Sequence, residues 1–268
     1  MRQFFVCIVM AITFNFAFSQ CFETNFAFCP GEVLNYEIYY NWGFVWLNAG
    51  NIDFKVNSGT FHDRPIYYFD SQGSTYKSYD WFFKVRDRYQ CYLDVETLRP
   101  LWFHRENYEG GFEADYKYFF NHSDNVVYSY TQNSERPFKK DTVEIPPCTF
   151  DLLSLIYYSR NIDFSDLHAG DSIPIISIID NEVYNLYIRY LGKEVIENKF
   201  GEEYNCIKFS ALLVEGTIFK DGEDLLVWVS DDKNRIPILV EAKILVGSIK
   251  AYLSSMKGMR NPVESLVK

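Results

Sequence analysis

Two neighbouring stretches with alternating side chains decide the fold of this chain. Residues 34–42 read LNYEIYYNW, and residues 51–57 read NIDFKVN. Successive side chains of an extended strand point to opposite faces, so each stretch has one apolar face and one largely polar face. The residues from Gly43 to Gly50 supply a turn between them. The two stretches are therefore predicted to pair as an antiparallel hairpin.

The same two-residue period continues through most of the chain. Aromatic and β-branched residues are abundant, and these residue types favour strands over helices. Further strands are predicted at about residues 66–70, 80–86, 89–94, 101–108, 114–120, 126–131, 172–179, 184–190, 204–213, 225–230, 235–246 and 248–253. We therefore expect a mainly β protein with roughly a dozen antiparallel strands.

One short element departs from this period. After Pro146-Pro147, Leu152, Leu155 and Ile156 share one helical face, and Thr149 or Asp151 can cap the first turn. This pattern predicts one covering helix near residues 150–160. Because a sheet with so many strands must curl or pair with a second layer, we expect a large curved antiparallel sheet, either a half-barrel or barrel-like.

Composition excludes several classes of protein. The chain has 268 residues, 48 % of them hydrophobic, with 14 Gly and 9 Pro, which fits neither a collagen-like nor a disordered chain. The 36 acidic residues exceed the 26 basic ones, giving a net charge of −10. Such a chain repels phosphate backbones, so nucleic acid is not an expected partner. A polyanionic membrane surface is disfavoured for the same reason.

The N-terminus is typical of a secretory signal peptide. Residues 1–19 combine Arg2 with a short apolar run that ends in Ala17-Phe18-Ser19, and we expect cleavage after Ser19. A lipoprotein modified at Cys21 is less favoured, because Gln20 is not small. No other stretch is apolar enough to cross a membrane. The mature chain is therefore expected in a periplasmic or extracellular space, without a transmembrane span.

The remaining sequence divides into three predicted parts. Residues 20–32 form an N-terminal segment, and residues 33–254 form a single β-rich domain with a candidate sub-boundary at 146–148. Residues 255–268 are polar and are expected to be a frayed tail.

The cysteines fit an oxidising compartment without fixing a pairing. A bridge from Cys21 to Cys29 would close a short N-terminal loop, but five of the six cysteines remain after cleavage, and this odd number leaves at least one thiol free. Cys91 and Cys206 lie in predicted strands, where packing is the simpler role. Pairing stays open among Cys21, Cys29, Cys91, Cys148 and Cys206. No spacing typical of metal ligands occurs, so no cofactor is expected.

Motifs of nucleophilic and phosphate chemistry are missing from the sequence, which favours a protein that is not an enzyme. Carboxylate pairs leave one catalytic alternative, a polysaccharide hydrolase that uses two acids. The pairs considered are Glu106 with Glu109, Asp80 with Asp87, and Glu223 with Asp224.

Aromatic residues are the most unusual feature of the chain, with 24 Phe, 21 Tyr and 5 Trp. Those that fall on otherwise polar strand faces have no core to fill there. We expect them to bind an amphipathic ligand, namely a lipid, an acyl chain or a glycan. The alternative is a protein-interaction or assembly module that docks on another envelope protein. The candidate ligand-binding residues are Tyr40, Trp42, Trp46, Trp81, Trp102 and Trp228.

A C-terminal segment carries a family resemblance. Residues 227–237 read VWVSDDKNRIP, and residues 247–253 read GSIKAYL. With these segments the chain resembles, over about residues 30–255, a bacterial family known as domain of unknown function 3108. The resemblance implies a secreted or periplasmic β-rich envelope protein, and the family has no established activity. In that light Arg235 is expected to pair back onto Asp231 and Asp232, giving these three residues a structural role in the turn.

Two tripeptides resemble acceptors of a general O-glycosylation system in envelope proteins. They are Asp141-Thr142-Val143 and Asp171-Ser172-Ile173. Glycosylation at Thr142 or Ser172 is therefore an expectation to be tested by mass.

Overall fold

The structure, a computed structural model, describes residues 21, 24–42, 45–213, 222–243 and 247–267. The predicted signal peptide of residues 1–19 lies outside the described residues. Within these residues, fifteen strands and one α-helix follow each other in sequence. The strands are β1 (Val33–Trp42), β2 (Val45–Phe61), β3 (Arg64–Thr75), β4 (Val85–Asp94), β5 (Pro100–Glu109), β6 (Phe112–Asn121), β7 (Val126–Asn133), β8 (Lys139–Glu144), β9 (Thr149–Phe150), β10 (Ser172–Ile179), β11 (Glu182–Glu197), β12 (Glu203–Leu213), β13 (Gly222–Ser230), β14 (Pro237–Lys243) and β15 (Ser248–Lys257), and the helix is α1 (Leu152–Ser159).

All fifteen strands form one sheet, in the order β8-β7-β6-β5-β4-β3-β2-β1-β15-β14-β13-β12-β11-β10-β9. Two meanders, β1–β8 and β10–β15, meet in the middle where β1 pairs antiparallel with β15. Only the short β9 pairs in parallel, with β10. The expected mainly β fold, a large curved antiparallel sheet with one helix, is confirmed.

The connection between the two sheet edges explains the curvature. Edge strands β8 and β9 are separated by residues 145–148 alone. Four residues span at most about 19 Å between the flanking Cα atoms, whereas fifteen strands laid flat would be about 65 Å wide. The sheet must therefore curl into an open, barrel-like shape with an inner and an outer face.

Helix α1 covers the inner face, as predicted. Asp151 caps it, because its Oδ1 accepts hydrogen bonds from the backbone N–H groups of Leu153 and Ser154, each at 2.9 Å. The ring of Tyr157 stacks on Phe69 of β3 with centroids 3.8 Å apart. Since α1 contacts Phe69, we call the face that carries Phe69 the inner face throughout.

A buried ion pair anchors the end of α1 to the N-terminal segment. The guanidinium of Arg160 pairs with the carboxylate of Glu32 at 2.5 Å, and both side chains are almost fully buried. Arg160 also donates to the carbonyl of Asn234 at 2.9 Å. One side chain thus connects the helix, the N-terminal segment and the β13–β14 connection.

Three local expectations are wrong. Residues 45–50 belong to the long strand β2 rather than to a turn. A loop of residues 80–84, directly after a 3-10 turn at Lys77–Tyr79, occupies most of the region expected as a strand at 80–86. Strand β8 was not predicted, because its charged sequence KKDTVE suits a solvent-exposed edge and carries little apolar periodicity.

The C-terminal residues expected to fray are instead fixed to the sheet. Strand β15 extends to Lys257, and Leu266 forms a β-bridge with Tyr204. The buried Asn234 side chain donates to the Asn261 carbonyl at 3.0 Å, and its Oδ1 accepts from the Asn261 N–H at 2.9 Å. The tail is ordered because it satisfies these buried polar groups.

The disulfide joins Cys21 to Cys148, across a sequence separation of 127. The short bridge considered between Cys21 and Cys29 is therefore absent, and Cys29, Cys91 and Cys206 are free. Cys148 lies in the connection between β8 and β9, so the bridge fixes the N-terminal segment where the two sheet edges approach each other.

Candidate functional site

The predicted aromatic residues do not form one surface. Strand alternation places Tyr40 on the inner face with Tyr36, whereas Trp46 pairs with Asn41 and so lies on the outer face. Trp102 is also on the outer face, against Tyr92 with ring centroids 4.5 Å apart. Trp81 belongs to no strand and is 82 % exposed. Trp42 ends β1, but its side chain lies outside the described side chains.

Trp228 is packed rather than available for a ligand. It is only 5 % exposed and lies on the outer face, paired in register with Lys208 and Leu239. The Lys208 ammonium lies 4.7 Å from the ring centroid, and the indole N–H donates to Glu194. A side chain covered in this way contributes to folding and offers no binding surface.

The turn after Trp228 is held by its own polar groups. Arg235 donates to the Asp232 carbonyl at 2.9 Å and pairs with the Asp231 carboxylate at 3.4 Å. Asp232 accepts from the Ser230 hydroxyl and from the Asn234 N–H, both at 2.9 Å. These contacts hold the turn itself, and two contacts tie it to other parts of the chain: Lys193 pairs with Asp231 at 2.7 Å, and the Ser265 N–H donates to Asp232 at 3.2 Å.

Polar residues line the inner face where β4 and β5 pair. In the register of β4 and β5, Tyr89 pairs with Arg105 and Asp87 pairs with Asn107. These residues alternate with the same period as the buried pair Cys91 and Phe103, so they face the same side of the sheet. The helix-covered end of these strands is therefore apolar, and the opposite end is polar. We call this region, together with the facing parts of β6 and β7, the polar wall.

Two carboxyl groups meet on the polar wall. Burial, followed by repulsion from the nearby Glu109 carboxylate, raises the pKa of Asp87 to about 7. The Asn107 amide donates to Glu109 Oε1 and to the Tyr89 hydroxyl, each at 2.9 Å. The backbone N–H of Tyr108 donates to Asp87 at 3.2 Å. Asp87 therefore holds a proton up to near-neutral pH.

Arg105 connects the polar wall to the β10–β11 turn. Its guanidinium lies 4.4 Å from the Tyr116 ring centroid and pairs with Asp180 at 2.5 Å. The backbone N–H of Asn181 donates to the Tyr118 hydroxyl at 3.1 Å. The turn of the C-terminal meander thus reaches across to the inner face of the N-terminal meander.

Four buried polar atoms at this place have no hydrogen-bond partner among the described residues. They are Arg105 Nε, Asn107 Oδ1, Ser129 Oγ and Asn181 Oδ1. Buried polar groups are normally paired, since an unpaired one costs about 1–3 kcal/mol. The polar wall therefore contains a donor and acceptors whose hydrogen-bonding capacity the described residues leave unused.

The opposite side of the inner face is apolar. A core of Phe164, Tyr190 and Phe209 stabilises it, with the Phe164 and Phe209 rings stacked 6.0 Å apart. The inner-face side chains above this core are only partly buried, so apolar surface remains open. These side chains, which we call the apolar wall, are Ile173, Tyr184, Ala211, Leu225 and Val240. The two walls together define the trough.

Two open cavities lie on the outer face instead. One of about 520 Å³ is lined by Arg86, Tyr108 and Arg136 among others, and one of about 470 Å³ lies over Tyr128 and Lys140. Both are open to solvent and mix acidic with basic side chains. Their shape and mixed charge favour neither an apolar nor a single-charge ligand.

Two of the three carboxylate pairs considered from sequence do not come together. Glu106 and Glu109 are three residues apart in β5 and so point to opposite faces. Asp80 pairs with Arg86 at 2.6 Å, away from Asp87. The side chains of Glu223 and Asp224 lie outside the described side chains. The pair that does form is Asp87 with Glu109. The sequence indicates it in one way: in each strand, these polar residues stand at the alternate positions that are apolar elsewhere in the strand.

The described part of the chain lacks two kinds of feature. No group of three or more His, Cys, Asp or Glu side chains there is arranged to hold a metal ion. None of its helices has the length and apolar composition that crossing a membrane requires.

Comparisons with known proteins agree on fold and family. The crystal structure of a beta-barrel-like protein of domain of unknown function DUF1849 from Brucella abortus is similar, with a TM-score of 0.56 and 10 % identity, covering 86 % of this chain and 98 % of that one. At that identity the likeness shows the fold alone. No curated protein matches.

The family model described as "Protein of unknown function (DUF3108)" matches residues 35–254, which span the sheet from β1 to β15. The predicted resemblance is confirmed, and the chain belongs to the DUF3108 family.

Proposed function

We propose that this protein binds an amphipathic ligand in the trough, with the polar head on the polar wall and the apolar part on the apolar wall. One observation carries the proposal. The inner face is divided into a half with four unpartnered polar atoms, including Asn107 Oδ1, and a half with exposed apolar surface, including Leu225.

The polar wall favours a head group that both donates and accepts hydrogen bonds. Arg105 Nε is a donor, while the free amide oxygens of Asn107 and Asn181 are acceptors. The carboxyls of Asp87 and Glu109 disfavour an acidic head group beside them. A hydroxyl- or amide-bearing head, as in an acylated sugar or an acyl amide, matches this set of groups.

The apolar wall suits an acyl chain. Ile173, Leu225 and Val240 are partly buried and face the same side of the sheet. Covering apolar surface contributes about 25 cal/mol per Å². The polar wall thus gives orientation, and the apolar wall gives most of the affinity.

We further propose that the protein acts in a periplasmic or extracellular space after removal of residues 1–19. The bridge between Cys21 and Cys148 supports an oxidising compartment. Its use of the Cys21 sulfur also argues against lipidation at that atom.

Native mass spectrometry of the mature protein from its own envelope fraction tests the ligand, followed by organic extraction. A co-purifying amphiphile is expected. An additional mass at Thr142 or Ser172, both exposed, would reveal glycosylation. A clean apo mass, together with no enhancement of an apolar fluorescent probe, would overturn the proposed function.

Adjacent residues on opposite faces provide matched variants. Asn107→Leu, on the inner face, is expected to lower the affinity for the extracted ligand by about tenfold, because the head group loses a hydrogen-bond partner. Glu106→Leu, on the outer face of the same strand, should leave affinity unchanged. Leu225→Ser and Leu226→Ser form the corresponding pair for the apolar wall. Equal effects within either pair would contradict the placement of the ligand.

A further inference from the structure

Seven of the fifteen large apolar side chains that are exposed in the described part of the chain lie at one end of the sheet. In an antiparallel meander the β1–β2, β3–β4 and β7–β8 connections all leave the sheet at the same end. Trp81 is 82 % exposed, Phe82 54 % and Phe138 57 %. We call this end the aromatic rim, formed by Val45, Trp46, Tyr76, Trp81, Phe82, Phe83 and Phe138.

The exposed rings are held outward by a built loop. Asp80 pairs with Arg86 at 2.6 Å and accepts from the Thr75 hydroxyl at 3.0 Å. The N–H groups of Phe82 and Phe83 donate to the Tyr79 carbonyl at 2.9 and 3.1 Å. The loop backbone is thus fixed, so Trp81 and Phe82 stay in solvent at a standing free-energy cost.

Phe83 adds a second anchor. A Cβ placed on Gly110 would come within 2.3 Å of the Phe83 ring. Glycine at this position lets the ring lie directly against the β5–β6 turn. The protruding pair Trp81 and Phe82 therefore has a rigid base on the neighbouring hairpin.

The two segments that carry most of these rings are basic in an otherwise acidic chain. Residues 76–84 read YKSYDWFFK, and residues 134–140 read SERPFKK. The two segments contain five Lys or Arg and two Asp or Glu, against a net charge of −10 for the chain. Lys250 also lies 5.1 Å from the Trp46 ring centroid. The rim is thus a local exception to the acidic surface.

We propose that the aromatic rim docks on the surface of a lipid bilayer that contains anionic lipids. Trp, Tyr and Phe at hairpin tips, flanked by Lys and Arg, fit the boundary between head groups and acyl chains. Separate protruding tips insert among lipids without needing a complementary cavity. The expectation that net charge disfavours a polyanionic membrane concerns the whole chain, whereas contact is made by this basic rim.

Vesicle flotation tests the docking, with phosphatidylcholine alone and with added phosphatidylglycerol. The chain is expected to float with both, and more with the anionic mixture. Trp81→Ser with Phe82→Ser should lower the bound fraction about tenfold or more, since two rings no longer leave water. Phe200→Ser is the matched control, because Phe200 is 50 % exposed on the β11–β12 connection at the opposite end.

Three outcomes would overturn the proposal. They are no flotation of the wild-type chain, no loss in the double variant, and an equal loss in Phe200→Ser. Self-association that disappears in the double variant without vesicle binding would assign the rim to a second copy instead.

Bromine-labelled lipids give an independent readout. They are expected to quench the wild-type tryptophan fluorescence, and Trp81→Phe should remove most of that quenching while the chain still floats. Unchanged quenching in this variant would place another tryptophan at the bilayer. Because docking does not require the trough, the double variant should retain probe binding there, which separates this proposal from the proposed function.

Discussion

At the scale of single residues, Asp87 links the polar wall to the pH dependence of stability. Its folded-state pKa of about 7 lies above the unfolded value of about 3.9. The folded state therefore keeps a proton that the unfolded state releases. Between about pH 4 and pH 7 this raised pKa lowers the free energy of unfolding as pH rises.

Asp87→Asn removes the titrating group and therefore the loss of stability that accompanies the rise in pH. Relative to the wild type, the variant is expected to gain stability at pH 8 and to change little at pH 4. Urea unfolding at both pH values measures the difference, with the exposed outer-face variant Glu106→Gln as control. The same pH slope in Asp87→Asn and wild type would show that Asp87 does not bind the proton.

The pair of Arg160 and Glu32 is a second residue-scale prediction. Both side chains are at most 2 % exposed, so Glu32→Gln leaves a buried cation without its partner. We expect a loss of about 3–5 kcal/mol in the free energy of unfolding. The double variant Glu32→Leu with Arg160→Met should lose less than the two single losses combined. Full additivity in urea unfolding would contradict their coupling.

Residues of this kind explain where sequence reasoning stopped. Arg160 was predicted only as the end of a helix, because its partner Glu32 lies 128 residues away. Asp87 and Glu109 likewise meet only through the register of β4 and β5. Local periodicity reports which face a side chain takes, but contacts between distant segments depend on how the sheet curls.

At the scale of elements, two glycines in β2 differ in the space available around them. A Cβ at Gly50 would lie 2.2 Å from the Ser74 carbonyl oxygen, whereas one at Gly59 would lie 3.5 Å from the flexible Ile66 side chain. The first contact is with backbone, so the paired strands would have to separate.

Gly50→Ala is therefore expected to lower the free energy of unfolding by about 2 kcal/mol, within the range for overpacking. Gly59→Ala should be neutral or slightly stabilising, because alanine restricts the unfolded chain. Thermal unfolding of both variants measures this contrast. Similar melting temperatures would mean that β2 and β3 pair more loosely than described.

Strong local signals gave correct elements. Asp151 and the spacing of Leu152, Leu155 and Ile156 predict the helix and its cap correctly. The predicted face is wrong, because Leu152 is 40 % exposed and the buried residues are Leu153, Ser154, Tyr157 and Tyr158. Strand β8 was not predicted, because an exposed edge strand needs no apolar residues. The six aromatic candidates were chosen by residue type, and they separate because type does not determine the face: Trp102 and Trp228 point outward.

At the scale of the whole molecule, the Cys21–Cys148 bridge fixes the place where the sheet edges approach each other. Closing a loop with a sequence separation of 127 restricts the unfolded chain strongly. Cys21→Ser, or reduction of the native protein, is expected to lower the free energy of unfolding by about 2–4 kcal/mol. Cys29→Ser is the matched control, since Cys29 is free. An unfolding midpoint unaffected by reductant would contradict this role.

The pairing of β1 with β15 has a consequence for how the chain folds. Val33 pairs with Lys257, so the two meanders form from local hairpins but join only when the last strand is available. Contacts this distant in sequence slow folding and leave partly built sheets exposed to aggregation. A chain ending at Lys243 would lack one strand of fifteen, yet the loss would divide the sheet at its centre. The two halves of the sheet can therefore join only in a chain that has been synthesised through its final strand.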